Sequence, residues 1–389
     1  MVDLPIYLDN HATTRTDPRV VEAMLPFFSE HFGNANSVHG FGQRAAEAVD
    51  TARSQVAALI HAQPREIVFT SGATESNNLA IKGGAGMYRK QGDHIVTTAI
   101  EHRAVLDPCK RLERDGFRVT YVPVDRWGQV SVQAFANAIT PATILVSVML
   151  ANNEVGTLQP VAAIGELCRQ QNIVLHTDAS QAAGKIDVNV ETLKVDLLSI
   201  SAHKMYGPKG VGALYVRRGV RLEPILDGGG HERGMRSGTL AVPNIVGLGA
   251  ACALAMESLN TESEHCRRLR DLLFHGLVAR IDDCTLNGHA TERLSGNLNV
   301  SFTHVQGEAL LMALRNIAVS SGSACTSASV KPSYVLRAMG VPDDLAHASI
   351  RFGIGRFNTT EEIDYAIDEV TRAVSRLRSI SPDYAMART

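Results

Sequence analysis

The sequence predicts an α/β protein, a mostly parallel sheet flanked by helices with a smaller α+β unit after it, and three observations carry the prediction. From about residue 67 to residue 216, short β-rich runs alternate with amphipathic helical segments, the order that builds a parallel sheet with helices on both faces. The chemically distinctive runs fall just past the ends of those strands, where open α/β sheets bind their ligands. At 389 residues the chain is long enough for two domains, or for one large unit with an appendage.

Taken in order, residues 18–28 read as a helix with Pro18 at its start, where a missing N–H does no harm. Residues 43–60 read as a second helix, with Ala45, Val49, Val56, Ala57 and Ile60 along one side. Residues 67–70 form a strand, followed by the small-residue turn Ser71-Gly72-Ala73-Thr74-Glu75-Ser76 and a helical run over 77–82. Further strands are read over 94–98, ending near Glu101-His102, and over 146–149, followed by Asn152-Asn153-Glu154. Residues 173–177 deliver Asp178 and then Gln181, and residues 195–200 deliver Ser201-Ala202-His203-Lys204. Beyond Gly228-Gly229-Gly230, an apolar helix over 242–259 leads out of the large unit, and a separate charged helix is read over 262–281. The rest, with strand-like runs at 297–302 and 349–352, belongs to the smaller unit. Its last helix opens with Thr359 and Glu362, a capping box, and carries Ile363, Ile367, Val370 and Val374 on one stripe.

Composition narrows the function. A hydrophobic content of 45% is that of a globular protein, and a net charge of −2 gives no reason to invoke nucleic acid or an anionic membrane surface. The N-terminus shows no basic stretch followed by an apolar one, and no apolar run approaches the roughly 20 residues of a spanning helix. A soluble protein of the cytoplasm is therefore expected. Six cysteines without Cys-x-x-Cys or His/Cys ligand spacing argue against a disulfide framework and against a metal site, so reduced thiols are expected. Cys109, Cys168 and Cys252 sit inside helical patterns and read as small buried residues.

The chemistry begins with Lys204. A lysine leaving a buried strand end invites Schiff-base formation, and Asp178 at the end of another strand supplies a carboxylate. Pyridoxal phosphate needs both, since its aldehyde and its ring nitrogen lie on opposite sides of one ring. Neighbouring strands run roughly 5 Å apart, about the width of that ring, so adjacent strand ends could hold the two groups in register. Either residue alone reads more simply as a surface lysine or a helix-capping aspartate. The turn after residue 70 presents backbone N–H groups and hydroxyls to a phosphate. His102 falls on the same sheet edge, where an imidazole can stack on a ring or move protons. Cys325 lies in Ser320-Ser321-Gly322-Ser323-Ala324-Cys325-Thr326-Ser327, a run with almost nothing to bury, and is expected on a mobile, exposed loop where a thiol can react. Arg351, on its own strand, offers a planar fork to a carboxylate.

Together these runs resemble the iron–sulfur-cluster group of pyridoxal-phosphate cysteine desulfurases in the class-V aminotransferase family. The resemblance extends over nearly the whole chain. It rests also on Tyr7-Leu8-Asp9 with Ala12-Thr13-Thr14, on Gly228-Gly229-Gly230-His231-Glu232 and on Arg236-Ser237-Gly238-Thr239. Two departures stand out. Ala35 occupies a position where relatives usually carry proline, and the chain stops shortly after its last helix, where some relatives continue into a tail that helps dock a scaffold protein. The second bears on how a partner docks.

The resemblance implies the type I fold of pyridoxal-phosphate transferases, with a seven-stranded sheet. It implies a large cofactor-binding domain over 15–260 and a small domain over 261–389, joined by residues 1–14, that carries the cysteine loop. Lys204 would hold the cofactor and, once freed, remove the α-proton of L-cysteine, while Asp178 keeps the ring nitrogen protonated and His102 stacks on the ring. Gln181 and Asn153 would bond the ring oxygen; Ala73, Thr74, Ser201 and His203 would take the phosphate side. Thr239 would come from the opposite subunit of a homodimer, and Arg351 with Asn153 would bind the substrate carboxylate. Cys325 would receive the sulfur as a persulfide for a scaffold or another acceptor protein, releasing L-alanine. A selenocysteine lyase or a related aminotransferase would use the same parts, and a binding subunit without catalysis is the alternative from another class.

Overall fold

The computed structural model describes residues 2–321, 332–381 and 384 of the chain. Its strands are β1 (Ile6–Tyr7), β2 (Ile67–Thr70), β3 (His94–Thr98), β4 (Arg118–Val122), β5 (Thr143–Ser147), β6 (Val174–Asp178), β7 (Leu197–Ser201), β8 (Gly212–Val216), β9 (Cys284–Asn287), β10 (Asn297–Phe302), β11 (Ile317–Ala318) and β12 (Ser349–Gly353). The seven strands β2 to β8 form one sheet in the order β2-β8-β7-β6-β5-β3-β4. Pairs from β4 through β7 are parallel, and β8 alone runs antiparallel to its neighbours β7 and β2. Every residue of β2, β3 and β5 to β8 is buried, as a sheet covered by helices on both faces requires. The mostly parallel seven-stranded α/β architecture expected from the sequence is present.

The remaining strands lie outside this sheet. β9, β10 and β12 form an antiparallel sheet in the order β12-β10-β9, and β1 pairs in parallel with β11, Ile6 opposite Ile317. Asp9 bridges to Gly353 at the end of β12, which brings the start of the chain beside its last strand. Ile6 and Leu8 accordingly share an apolar cluster with Leu269, Leu273, Val300 and Val370.

In two places the number of helices differs from the sequence reading. Residues 18–28 are two helices, Pro18–Met24 and Pro26–Ser29, because Pro26 has no N–H to continue the ladder. The apolar and the charged helices read over 242–259 and 262–281 are one, Val242–Val278, 37 residues long. Asn260 and Thr261 at the supposed join are not breakers, and the change in composition marks a change of surroundings instead. Its first half packs Ile245, Leu248, Ala251 and Ala255 into the cluster under the central sheet, and its second half packs Leu269, Leu273 and Leu277 into the cluster with β1 and β10. One 18-residue window of this helix is apolar enough to cross a membrane by composition, contrary to the expectation that no run approaches that, but its apolar side chains are largely spent on these two cores. Gly249 permits the close crossing with the helix Gly40–Leu59, since a Cβ there would sit 2.6 Å from Ala52 Cα.

Candidate active site

β6 and β7 are adjacent and parallel, with Asp178 opposite Ser199. β6 ends on Asp178; β7 ends on Ser201 and passes into a single 3-10 turn, Ala202–Lys204. Asp178 and Lys204 thus emerge on one sheet edge from neighbouring strands, as the apolar runs before them predict. Both line a cavity of about 530 Å³. Ala73, Thr74, His102 and Asn153 line it as well, from the segments that follow β2, β3 and β5. Gln181, Ser201, His203 and Arg351 complete the set of expected residues in its wall. Thr239 is not in the wall and stands exposed elsewhere on the chain. Cys325 lies outside the described residues.

Each polar group is held by the fold. Asp178 Oδ2 accepts from Asn77 Nδ2 at 2.7 Å, and Oδ1 accepts from the Ser180 backbone N–H at 2.9 Å and its hydroxyl at 2.5 Å. Three donors orient a carboxylate that is nearly buried. Lys204 Nζ donates to the carbonyls of His11 at 2.6 Å and Ala12 at 2.7 Å. His102 caps the helix Arg103–Arg114, its Nδ1 accepting from Ala104 N–H at 3.1 Å. A backbone N–H can only donate, so the neutral ring must carry its proton on Nε2. Burial lowers the His102 pKa, partly offset by the Asp178 charge, and so favours that neutral ring. His203 is pushed down to about 4, chiefly by desolvation, and its Nδ1 meets Thr13 Oγ1 at 3.1 Å. Gly72, in the turn after β2, has φ +148, a conformation open to glycine, and it starts the helix Ala73–Asn78.

The other wall is built from the carboxylate side of the substrate reading. Arg351 Nη1 donates to the Asn153 carbonyl at 2.9 Å and Nη2 to Asp9 Oδ1 at 2.9 Å, so part of its fork is already engaged by the protein. Asn153 keeps Oδ1 buried without a hydrogen-bond partner. Its neighbour Asn152 is structural: Oδ1 accepts from the N–H groups of Glu154 and Val155, and Nδ2 donates to the Ile100 carbonyl.

Several site residues are not singled out by the sequence. His11 lines the cavity and pairs through Nδ1 with Gln181 Oε1 at 2.8 Å, and Asn77 holds Asp178. The signal for His11 is only its place beside Ala12-Thr13-Thr14, and Asn77 carries no mark beyond lying on the first helix after β2. Two buried carboxyls also escape notice: burial raises Glu101 to about 8 and Glu154 to about 7. Among the described cysteines, Cys109, Cys168, Cys252 and Cys266 are buried and Cys284 is partly so. Burial raises all five thiols, to about 12 for Cys109, Cys168 and Cys266 and to about 11 for Cys284, which makes them poor nucleophiles.

Comparison with known proteins places this geometry. Residues 6–366 match the family described as Aminotransferase class-V. A protein of Colwellia psychrerythraea named cysteine desulfurase IscS is 57% identical over 388 residues, covering 98% of this chain and 96% of that one. Among solved structures, a NifS-like protein superposes with a TM-score of 0.91 at 42% identity, over 96% of this chain and all 100% of its own. A structure described as SspA in complex with cysteine has a TM-score of 0.82 at 38% identity, over 91% of this chain and 100% of its own.

Proposed function

Because the chain belongs to the class-V aminotransferase family, and within it to the cysteine desulfurases, we propose that it removes sulfur from free L-cysteine, releases L-alanine and retains the sulfur as a persulfide on Cys325 for iron–sulfur cluster assembly and other sulfur transfer. The observation that carries the reading is the pairing of Lys204 with Asp178 on adjacent strand ends in one cavity with His102. Cysteine as substrate is supported by the related structure described with cysteine bound.

The residues present fit pyridoxal phosphate. The cavity volume of about 530 Å³ is in the range of small-ligand sites, and its wall offers the unpartnered polar atoms Asn153 Oδ1 and His11 Nε2. Lys204 would hold the aldehyde, Asp178 the ring nitrogen, Gln181 and Asn153 the ring oxygen, and Ala73, Thr74, Ser201 and His203 the phosphate. Bound there, the cofactor supplies an electron sink for negative charge at the substrate Cα.

The chain's own groups do the rest. Arg351, oriented by Asp9, and Asn153 bind the substrate carboxylate and set the Cα against Lys204. Lys204 Nζ, when uncharged, takes the Cα proton. His102 carries a proton on Nε2 and serves the proton transfers. Cys325 takes the sulfur, for every described cysteine is a thiol whose burial disfavours the thiolate. Thr239 is assigned to the partner's site in a homodimer. Its exposure away from its own cavity supports this, as do the exposed apolar side chains of Phe28, Phe32, Val38 and Phe41. A scaffold or other acceptor protein is the proposed destination of the sulfur, and unpaired thiols favour the cytoplasm as its compartment. We also divide the chain into a large domain, 15–260, and a small one, 261–389 with 1–14, a division supported by the separate apolar cluster that holds Ile6 and Leu8.

Incubation of purified protein with L-cysteine tests the whole reading. Alanine and protein-bound persulfide are expected in step. A keto acid instead of alanine would make the chain an aminotransferase, and turnover of selenocysteine alone would make it a lyase.

A further inference from the structure

Behind the wall of this cavity sits an amine to which the chemistry above gives no role. Lys185 donates from Nζ to Gln181 Oε1 at 3.3 Å. The same oxygen pairs with His11 Nδ1 at 2.8 Å, while Gln181 Nε2 donates to the His11 carbonyl at 3.0 Å. That carbonyl also accepts from Lys204 Nζ at 2.6 Å. One amide and one histidine therefore link two lysines. The direction of every bond follows. Gln181 Nε2 faces a carbonyl, so its oxygen must be the acceptor for both Lys185 and His11, and the His11 proton must sit on Nδ1. Desolvation first, and then the charge of Lys185, holds His11 well below the ordinary histidine range, so the ring is neutral.

Lys185 has unusual surroundings for a lysine. A cavity of about 20 Å³ beside it is lined by His11, Tyr206, Glu262 and Cys266, and Lys204 and Arg351 act on it from the active-site side. Glu262, the carboxylate that favours its charge, is already paired with Arg356 at 2.7 Å, and among the described residues Lys185 forms no ion pair. Desolvation brings its ammonium down to about 7, with Lys204 pushing the same way. A lysine kept for structural pairing would be expected beside a carboxylate. Here two amines share a poorly solvated wall, and charge on one disfavours charge on the other.

We propose that Lys185 is a positioning residue for Lys204: through Gln181 and His11 it fixes where the Lys204 amine is held, and while it is itself charged it favours the uncharged amine that can bond an aldehyde or accept a proton. The inference rests on Lys204 being the lysine that holds the cofactor.

The test is the pH dependence of Lys204 acetylation in the full-length, cofactor-free chain, read by peptide mass spectrometry. Lys185→Met removes charge and donor, Lys185→Gln removes the charge alone, and Lys185→Arg keeps both. Below pH 7, where Lys185 carries its charge, Lys204 should be acetylated about tenfold more slowly in the Met and Gln variants than in wild type, the usual size of a neighbouring-charge effect, with the curves converging above about pH 8, and the Arg variant should stay near wild type below pH 7. Should the Met variant fail to fold, the Gln and Arg pair carries the same comparison. Equal Lys204 acetylation rates below pH 7 in wild type and in folded Lys185→Met or Lys185→Gln overturn the inference. The premise is checked separately by borohydride reduction of the wild-type holoenzyme: a pyridoxyl adduct on Lys204 leaves the proposed function standing whatever the acetylation profile shows, and an adduct on Lys185 sinks both.

Discussion

Asn77 donates from Nδ2 to Asp178 Oδ2 at 2.7 Å, tying the helix that follows β2 to the end of β6, 101 residues further along the chain. With the two bonds from Ser180 to Oδ1, it leaves the carboxylate little freedom to turn. A carboxylate that must face a protonated ring nitrogen gains from being oriented before the ligand arrives.

A graded series follows for cofactor binding. Asp178→Ala should bind pyridoxal phosphate poorly and lose nearly all turnover, because an unprotonated pyridine is a poor electron sink. Asn77→Ala, which leaves the charge but frees the carboxylate, should weaken binding by roughly tenfold, the order of one hydrogen bond to a charged group. Gln181→Ala should fall below Asp178→Ala in severity. Fluorescence titration of cofactor-free protein measures all three, and equal, near-wild-type affinities would remove Asp178 from the role assigned to it.

The buried carboxyl of Glu154 predicts a pH dependence of stability. Burial raises it from 4.5 to about 7, and Ser333 Oγ bonds it in the folded chain. Between those values the folded state holds a proton that the unfolded state has lost, so the stabilisation is complete below pH 4.5 and is lost as pH rises through 7. The loss amounts to about 3 kcal/mol from this one group, at 1.36 kcal/mol per unit. Glu101, raised to about 8, titrates with the same sign. Glu154→Gln should therefore flatten, without abolishing, the fall in unfolding free energy between pH 5 and 8. Denaturant curves across that range that decline equally in wild type and variant would show that Glu154 is ionised in the fold.

Lys204, Asp178, Gln181 and His102 are legible in the sequence because each follows a strand whose apolar run is visible by itself, and strand ends in such sheets collect at one edge. His11 and Lys185 are not. His11 reaches the site from a two-residue strand, Ile6–Tyr7, that pairs with β11 over 300 residues away, and no local period announces such a pairing. Lys185 looks like any exposed lysine in a loop; only its bond to Gln181 and the engagement of Glu262 by Arg356 set it apart. The join at Asn260 misleads for the opposite reason. Composition changes there while the backbone does not, because one helix passes from the core under the central sheet to the core around β10.

A homodimer with shared sites makes two predictions that stand or fall together. Phe32 and Val38 are 66% and 90% exposed, and the Phe32 and Phe41 rings lie 5.4 Å apart, an apolar patch that a lone chain would leave in water. Phe32→Asp with Val38→Asp should shift sedimentation from dimer to monomer and abolish turnover. Mixing Lys204→Ala with Thr239→Asp should restore about a quarter of wild-type activity, since half the dimers are mixed and each has one intact site. A wild-type monomer that turns over cysteine would exclude the arrangement.

Cys325→Ser separates the two halves of the reaction. Lys204, Asp178, Gln181 and Arg351 all line one cavity, the proposed mechanism assigns them to the carbon skeleton, and none of them can accept sulfur. The described thiols cannot replace Cys325, since burial holds each of them above the ordinary thiol range. A hydroxyl is far less nucleophilic toward sulfur than a thiolate. The serine variant should bind pyridoxal phosphate with wild-type affinity and change its visible spectrum when L-cysteine is added, because those steps need only the cavity. It should release almost no alanine and carry no persulfide by mass spectrometry. Alanine production at the wild-type rate would mean that sulfur departs without passing through Cys325, and the direct lyase route would then describe the enzyme.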